Sequence, residues 1–383
     1  MGVGPDEPEP QGSEPAGAVA GTSLTGRSAA HGRRPRLPGL QDPYVPPDPT
    51  LESSPPPGQP GGDEPPRPTL GPTPAPIEPT DSFAVAGRKA MWLHVSRMLD
   101  REDALRDPSA TDALKRYRVA TRRLRAALRV FRDAYPRRET KAIRAGLSDL
   151  ADTLGAVRDL DVRLDEVARW VGEAEAGSEA AIAPLRRNLE AQRQAAAAAL
   201  GRKLDSRGHR RLISALVTFV TTIDPDVAPH AGTPDRATRD RAGSSVWAAY
   251  EQVRAYAAIV RWADMATLHG LRIDAKRLRY TVEFLGNVLG PEKDWLIERL
   301  VALQDHLGAL NDATLAVAAV RSFLGDHHAT LSPEERAAAI SYLGDREREL
   351  ARLRRGVGRA WRPVVGVTFA RRMARVVVSR PLA

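Results

Sequence analysis

Two groups of cationic side chains recur along this 383-residue chain with the same spacing, and their chemistry points to the binding of a polyanion. The first group lies in residues 114–125 and the second in residues 268–279, at a uniform offset of 154. Under this offset Arg118 corresponds to Arg272, and Arg122 corresponds to Lys276. Guanidinium and ammonium groups bind phosphate oxygens through charge-assisted hydrogen bonds. Their repetition indicates two copies of one half-site for a long anion.

The spacing of the apolar residues predicts that both segments are amphipathic helices. Core positions recur at intervals of three and four residues, at Leu114, Tyr117, Thr121, Leu124, Leu128 and Phe131 in the first segment and at Leu268, Leu271, Ala275, Leu278, Val282 and Leu285 in the second. The cations follow these positions by one, about 100° around the helix. A basic side next to a core side faces a groove between packed helices, so we predict that nine residues bind the anion: Lys115, Arg118, Arg122, Arg125, Arg129, His269, Arg272, Lys276 and Arg279.

An ordinary solvated helix face is the alternative interpretation, because arginine-rich chains carry cations on many exposed helices. Such cations usually pair with acidic residues one turn away on the same helix. Residues 114–132 contain no acidic residue, so the first group would repel itself unless an anion or water screened it. We therefore favour anion binding.

Composition divides the chain into two parts. The first 80 residues hold 21 of the 31 prolines, and residues 1–82 are expected to form a disordered, acidic tail. The rest has a net charge of +14, against +9 for the whole chain, which predicts a polyanionic partner. The chain has no cysteine, no run of 18 apolar residues and no apparent signal peptide, so we expect a cytoplasmic protein without a membrane span.

Helical patterns dominate after residue 82, and we expect Ser82 to cap the first helix. The helices fall into two halves, at about 83–222 and about 238–380, which a loop with Pro225, Pro229 and Pro234 separates. Paired helices are predicted at 137–154 and 158–173, at 291–308 and 311–326, and at 333–355 and 358–377. Within each of the first two pairs, a Leu-Gly sequence predicts the turn that joins the two helices. These sequences begin at Leu154 and Leu307, and the turns end at Asp159 and Asp312. The predicted fold is all-α, with two antiparallel bundles related by the internal repeat around a basic central channel.

The motifs resemble those of a known family, the CHAD (conserved histidine α-helical domain) family. The resemblance rests on Arg-Val-x-x-Arg-Arg-Leu-Arg from Arg118, on Leu-His-x-Leu-Arg-Ile-x-x-Lys-Arg-Leu-Arg-Tyr-x-x-Glu from Leu268 and on the Leu-Gly pairs, and it covers roughly residues 83–380. It implies two helical bundles that bind inorganic polyphosphate in a basic central cavity. The family's histidine falls on His269, whereas Lys115 stands at the equivalent position of the first half. Lysine stays charged at physiological pH, so we expect binding to survive.

The hypothesis is a non-catalytic polyphosphate-binding protein that needs no cofactor, in the cytoplasm and at polyphosphate granules. A nucleic-acid-associated protein that grips the phosphate backbone is the second candidate, although few aromatic residues accompany the cations. A metal-dependent phosphohydrolase is the third, with Asp159, Asp161 and Asp312 as its carboxylates. We expect instead that Asp159 and Asp312 hold turns or orient neighbouring arginines, and that Glu283 stabilises a basic helix.

Overall fold

A computed structural model of the chain describes residues 69–107, 111–175, 177–222 and 237–378. These residues form ten α-helices with short 3-10 turns and contain no β-strand, so the predicted all-α class is confirmed. The first five helices are α1 (Phe83–Leu99), α2 (Thr111–Val130), α3 (Arg137–Glu173), α4 (Ser178–Asp205) and α5 (Arg207–Thr221). The second five are α6 (Thr238–Arg254), α7 (Met265–Phe284), α8 (Lys293–Asp326), α9 (Pro333–Val365) and α10 (Val367–Val378).

Each set of five helices packs in chain order and closes on itself. Helix α1 contacts α2 and α5, and α3 contacts both α2 and α4; likewise α6 contacts α7 and α10, and α8 contacts both α7 and α9. The two sets meet where α2 packs against α7 and where α4 packs against α9. Most buried side chains form one core, and a second, smaller core joins the far ends of α3, α4, α8 and α9 around Trp170 and Tyr342. The contact between α2 and α7 brings the two basic segments together.

The turns predicted at the two Leu-Gly pairs are wrong. Residues 154–159 lie within the 37-residue helix α3, and residues 307–312 lie within the 34-residue helix α8. One interior glycine costs a helix only about 1 kcal/mol relative to alanine. Burial of Leu154 and Leu307 on the core side outweighs this cost, since burying a leucine side chain is worth about 1.5–3 kcal/mol.

The predicted helix break between residues 355 and 358 is also misplaced, because α9 continues to Val365 and the break falls at Gly366. Gly356 is a packing position instead. A Cβ atom at Gly356 would lie 2.7 Å from Cε1 of His306, so the missing side chain allows α9 to approach α8 closely. Pro363 lies in the last turn of α9, where a proline disfavours continuation of the helix.

The amino-terminal end of the described chain begins before α1. The hydroxyl of Ser82 caps α1 by accepting a hydrogen bond from the amide of Val85, as its sequence position predicts. Residues 69–82, which the prediction had assigned to the tail, lie against the domain, where Asp81 forms a 2.8 Å ion pair with Lys89. The predicted disorder of residues 1–68 and the predicted loop with Pro225, Pro229 and Pro234 fall outside the described residues.

Within the described ranges one helix, α8, is long and apolar enough to cross a membrane by length and composition alone, with a mean hydropathy of 1.2 over its most apolar window. Leu296, Leu300 and Leu303 of this helix are fully buried in the core of the domain. Core helices commonly meet the same criterion, so α8 is weak evidence for a membrane span.

Candidate anion-binding site

The core positions predicted for the two basic helices are buried, as the periodicity required. Tyr117 and Leu124 of α2 and Leu271 and Leu278 of α7 have no exposed surface. Helix α7 begins at Met265 because the carboxylate of Asp264 accepts a hydrogen bond from the amide of Thr267. With these sides fixed in the core, the neighbouring basic sides of the two helices face a shared space.

That space is a cavity of about 500 Å³ lined by α2, α3, α7 and α8. Six of the nine predicted residues line it: Lys115, Arg118, Arg122, Arg272, Lys276 and Arg279. The side-chain amide of Gln304 on α8 donates to the carbonyl of Ala275 at 2.9 Å, which ties α8 to α7 beside Lys276. The two halves of the chain therefore contribute equally to the predicted cations in the cavity.

The other three predicted residues lie outside the lining of the cavity. Arg125 is half-buried and donates from Nη2 to the hydroxyl of Ser148 on α3 at 3.3 Å. Arg129 lies one turn further along α2 and is exposed. His269, the residue at the position of the family histidine, is exposed on the first turns of α7. Helices α3 and α8 also line the cavity and limit its length along α2 and α7. Only part of each basic side therefore faces it.

Sequence reasoning missed the contributions of α3 and α8. Helix α3 adds two cations, Arg158 and Arg163, and the two helices together add four carboxylates, on Asp159, Glu166, Asp305 and Asp312. A signal was present, since Asp159 and Asp312 recur at nearly the offset that relates Arg118 to Arg272. Eight cations and four carboxylates therefore line the cavity, which is basic overall.

The carboxylates stand beside particular arginines. Oδ1 of Asp159 lies 4.0 Å from Nη2 of Arg118, and the charge of Asp312 raises the pKa of Arg272 against the larger, lowering effect of burial. Burial raises the pKa of Asp159, with a further contribution from the like charge of Asp312, while Arg118 opposes both. The role of the two aspartates in orienting arginines stays a prediction, whereas their predicted role in holding turns is wrong, because both residues lie inside helices.

Other cations of the cavity have no carboxylate partner. Among the described residues, no carboxylate oxygen lies within 4.0 Å of the charged nitrogens of Lys115, Arg122, Arg163, Arg272 or Lys276. The Nε atoms of Arg122 and Arg272 are also buried without a hydrogen-bond partner. Buried donors of this kind cost free energy unless a ligand or water satisfies them.

Repulsion between the cations of the cavity contributes to lowering their pKa values. Burial, followed by the charges of Arg272 and Arg122, lowers the pKa of Lys276 to about 7. Burial likewise lowers the pKa of Arg118 and of Arg272, although guanidinium groups stay protonated in proteins. The cavity therefore holds more positive charge than its own carboxylates stabilise, and an anion would relieve this repulsion.

Glu283 stabilises the junction of the two basic helices, as the sequence led us to expect. Its two carboxylate oxygens each lie 3.1 Å from an arginine, Arg279 of α7 on one side and Arg123 of α2 on the other.

Among the described residues no group of three or more histidine, aspartate or glutamate side chains is placed to hold a metal ion. His94, for example, is buried in the core, and burial lowers its pKa to about 3.

Comparisons with known proteins identify the family. The family model for the CHAD domain matches residues 89–321, well over half of the chain. The CHAD domain of the plant Ricinus communis has a similar fold, with a TM-score of 0.58 and 22% identity over 76% of this chain and 96% of that one. PptA from Streptomyces chartreusis is similar too, with a TM-score of 0.59 and 18% identity over 74% of this chain and 100% of that one. No curated protein matches the sequence. The chain belongs to the CHAD domain family.

Proposed function

We propose that the cavity binds inorganic polyphosphate and does not cleave it. The observation that carries this proposal is the convergence of eight cations from three helices on one cavity of about 500 Å³. Five of these cations have no carboxylate partner in the part of the chain that the structure describes. Membership of the CHAD family supports a phosphate-containing ligand. The cellular setting that this ligand implies is the cytoplasm, at polyphosphate granules.

Polyphosphate matches the chemistry of the lining. Each internal phosphate unit carries about one negative charge and free acceptor oxygens. Arginine presents a planar set of donors that can contact two such oxygens at once. The unsatisfied Nε atoms of Arg122 and Arg272 would find acceptors on a phosphate chain that enters the cavity. Charge-assisted hydrogen bonds of this kind are worth roughly 1.5–3 kcal/mol each.

Nucleic acid is the second candidate for this polyanion, but the lining favours it less. Aliphatic residues such as Val119, Val162 and Val301 provide the apolar part of the lining, and no aromatic side chain is among the lining residues. Single-stranded nucleic acid is usually bound through stacking of its bases on aromatic rings. Duplex DNA can be bound through its phosphate backbone without stacking residues, so the binding series below must separate it from polyphosphate.

Hydrolysis would need a group that activates water near the bound phosphate. The carboxylates best placed for such a role are Asp159, which lies 4.0 Å from Arg118, and Asp312, whose charge acts on Arg272. This arrangement supports a role in orienting arginines. We therefore place the protein among binding proteins, and an assay for phosphate release in the presence of Mg²⁺ tests that assignment.

A binding series at fixed salt tests the proposed ligand. Isothermal titration calorimetry would compare long-chain polyphosphate, pyrophosphate, single-stranded DNA and duplex DNA. We expect long-chain polyphosphate to bind most tightly, because pyrophosphate cannot contact all of the cations in the cavity at once. Its log affinity should fall linearly with log salt concentration as condensed counterions are released. Equal affinity for pyrophosphate and for long chains, or tighter binding of DNA, would contradict the proposal.

A further inference from the structure

A second cluster of cations lies outside the cavity, where α2 passes α7. It consists of Arg125 and Arg129 on α2 and Arg277 on α7, and we call it the outer arginine cluster. Arg125 and Arg277 lie close enough to Arg129 to lower its pKa, after the larger effect of partial desolvation among its neighbours. Arg144 of α3 also lowers the pKa of Arg129, by a smaller amount, and its Nη2 donates to the carbonyl of Leu128 at 2.6 Å.

The cluster that the repeat makes equivalent to this one is neutralised by a glutamate. Under the offset of 154, Arg123 corresponds to Arg277, Arg125 to Arg279 and Arg129 to Glu283. Glu283 forms an ion pair with Arg123 and another with Arg279, at 3.1 Å each. The equivalent cluster therefore has two arginines around a glutamate, whereas the outer arginine cluster has three arginines at the corresponding positions.

No carboxylate takes the place of Glu283 in the outer arginine cluster. Among the described residues, no carboxylate oxygen lies within 4.0 Å of the guanidinium nitrogens of Arg125, Arg129 or Arg277. Asp274 raises the pKa of Arg129 slightly, but its Oδ2 accepts a hydrogen bond from the hydroxyl of Tyr256 at 2.9 Å. Among the described residues, the side-chain hydrogen-bond partner of Arg125 is the neutral hydroxyl of Ser148.

The cluster continues the basic side of α2 beyond the cavity. Arg122 lines the cavity, and Arg125 and Arg129 follow on the same side of the helix, about 5 Å and about 10 Å further along its axis. A ligand confined to the cavity would not reach Arg129. A long flexible polyanion that left the cavity along α2 would meet Arg125 first, and then Arg129 and Arg277.

We propose that the outer arginine cluster is a second anion subsite, which binds the part of a long phosphate polymer that extends beyond the cavity. This inference rests on the proposed function of the cavity and adds a selectivity for length to it. Short oligophosphates would occupy the cavity alone. Long chains would occupy both subsites, so that affinity depends on whether the polymer spans them.

The substitution Arg129→Glu tests this subsite. It places a glutamate at the position equivalent to Glu283, which neutralises Arg123 and Arg279 in the other cluster. A polyphosphate of about a hundred units and tripolyphosphate would be titrated calorimetrically into the wild-type and variant proteins. We expect the affinity for the long chain to fall roughly tenfold or more, and its dependence on salt to become shallower by about one unit of slope per lost contact. The affinity for tripolyphosphate should stay within about twofold.

Two further variants complete the test. Arg355→Glu makes the same change of charge at an exposed position of α9 outside both subsites, and it should leave both affinities within about twofold. Arg129→Lys keeps the charge and should retain most of the affinity for the long chain. Should Arg129→Glu fail to fold, Arg129→Gln should show the same selective loss in smaller measure.

The outcomes separate the subsite from the cavity. Unchanged affinity for the long chain in Arg129→Glu, or an equal loss for long chain and tripolyphosphate, would overturn the outer subsite while leaving the cavity intact. If the wild-type protein binds neither anion, the proposed function fails and the subsite fails with it.

Discussion

Lys276 is the cavity residue whose charge responds most directly to its neighbours in the free protein. Its ammonium group is half-buried among Arg272, Arg122 and Arg118, and its pKa is lowered to about 7. Near neutral pH the free protein therefore carries Lys276 as a mixture of neutral and charged forms. A bound anion would favour the charged form, because opposite charge stabilises the ammonium group.

Binding should consequently take up a proton at Lys276. Between pH 7 and the higher pKa of the complex, the complex holds more protons than the free protein, so affinity should fall as pH rises through this interval. A single proton limits the fall to about tenfold per pH unit. Calorimetric titrations in buffers of different ionisation enthalpy would show uptake near zero at pH 6 and approaching one proton at pH 8.

The variant Lys276→Arg provides the control for this prediction. Arginine keeps its proton over the whole range, so the variant should bind with much weaker proton uptake and a flatter pH profile. Proton uptake equal to that of the wild-type protein would show that another group carries the linkage and would contradict this prediction.

Helices α3 and α8 show how far local patterns specify the elements that build the site. Periodicity placed the buried sides of α2 and α7 correctly, because local spacing determines which side chains share a helix face. It failed at Gly155 and Gly308, because a glycine inside a helix and a glycine in a turn look alike in a single sequence. Tertiary burial of Leu154 and Leu307 decided between the two, and no local pattern reports it.

Two glycines of α9 provide a direct test of the contact between α8 and α9. A methyl group at Gly356 would meet the His306 ring, which the hydrogen bond from Nε2 to the carbonyl of Leu353, 2.8 Å long, holds in place. Gly356→Ala should therefore destabilise the domain by about 1–3 kcal/mol. Gly358→Ala meets nothing within 4 Å and should stabilise it by about 0.5–1 kcal/mol through helix propensity.

Urea unfolding followed by circular dichroism measures both glycine variants. The prediction concerns the difference in sign between the two substitutions, which lie two residues apart on one helix. Stabilisation by Gly356→Ala would mean that His306 moves freely and that α8 and α9 pack less closely than the structure shows.

At the scale of the whole molecule, the site depends on packing between halves that lie far apart in sequence. The repeat indicated two half-sites, and six of the nine predicted residues line one cavity. The sequence could not show that α3 and α8 close this cavity with Arg158, Arg163 and four carboxylates. Nor could it show that Arg129 lies outside the cavity, because one helix face can pass from a closed space to the surface within two turns.

The central claim is that cations from both halves bind one polyanion in the cavity, and paired charge reversal tests it most directly. Arg122→Glu combined with Lys276→Glu changes one cavity residue in each half. Both residues lie off the core positions of their helices, so the helical signal and the thermal midpoint should stay close to those of the wild-type protein. A control with the same change of net charge is Arg261→Glu combined with Arg355→Glu, at exposed positions outside the cavity.

The deciding measurement is the affinity of these two folded double variants for long-chain polyphosphate at fixed salt. Each reversal removes a contact and adds a repulsion, so we predict that Arg122→Glu with Lys276→Glu lowers the affinity by at least about a hundredfold. The control should lose less than about threefold, since exposed charges outside the site are screened by salt. Wild-type affinity in the folded cavity variant would contradict the account.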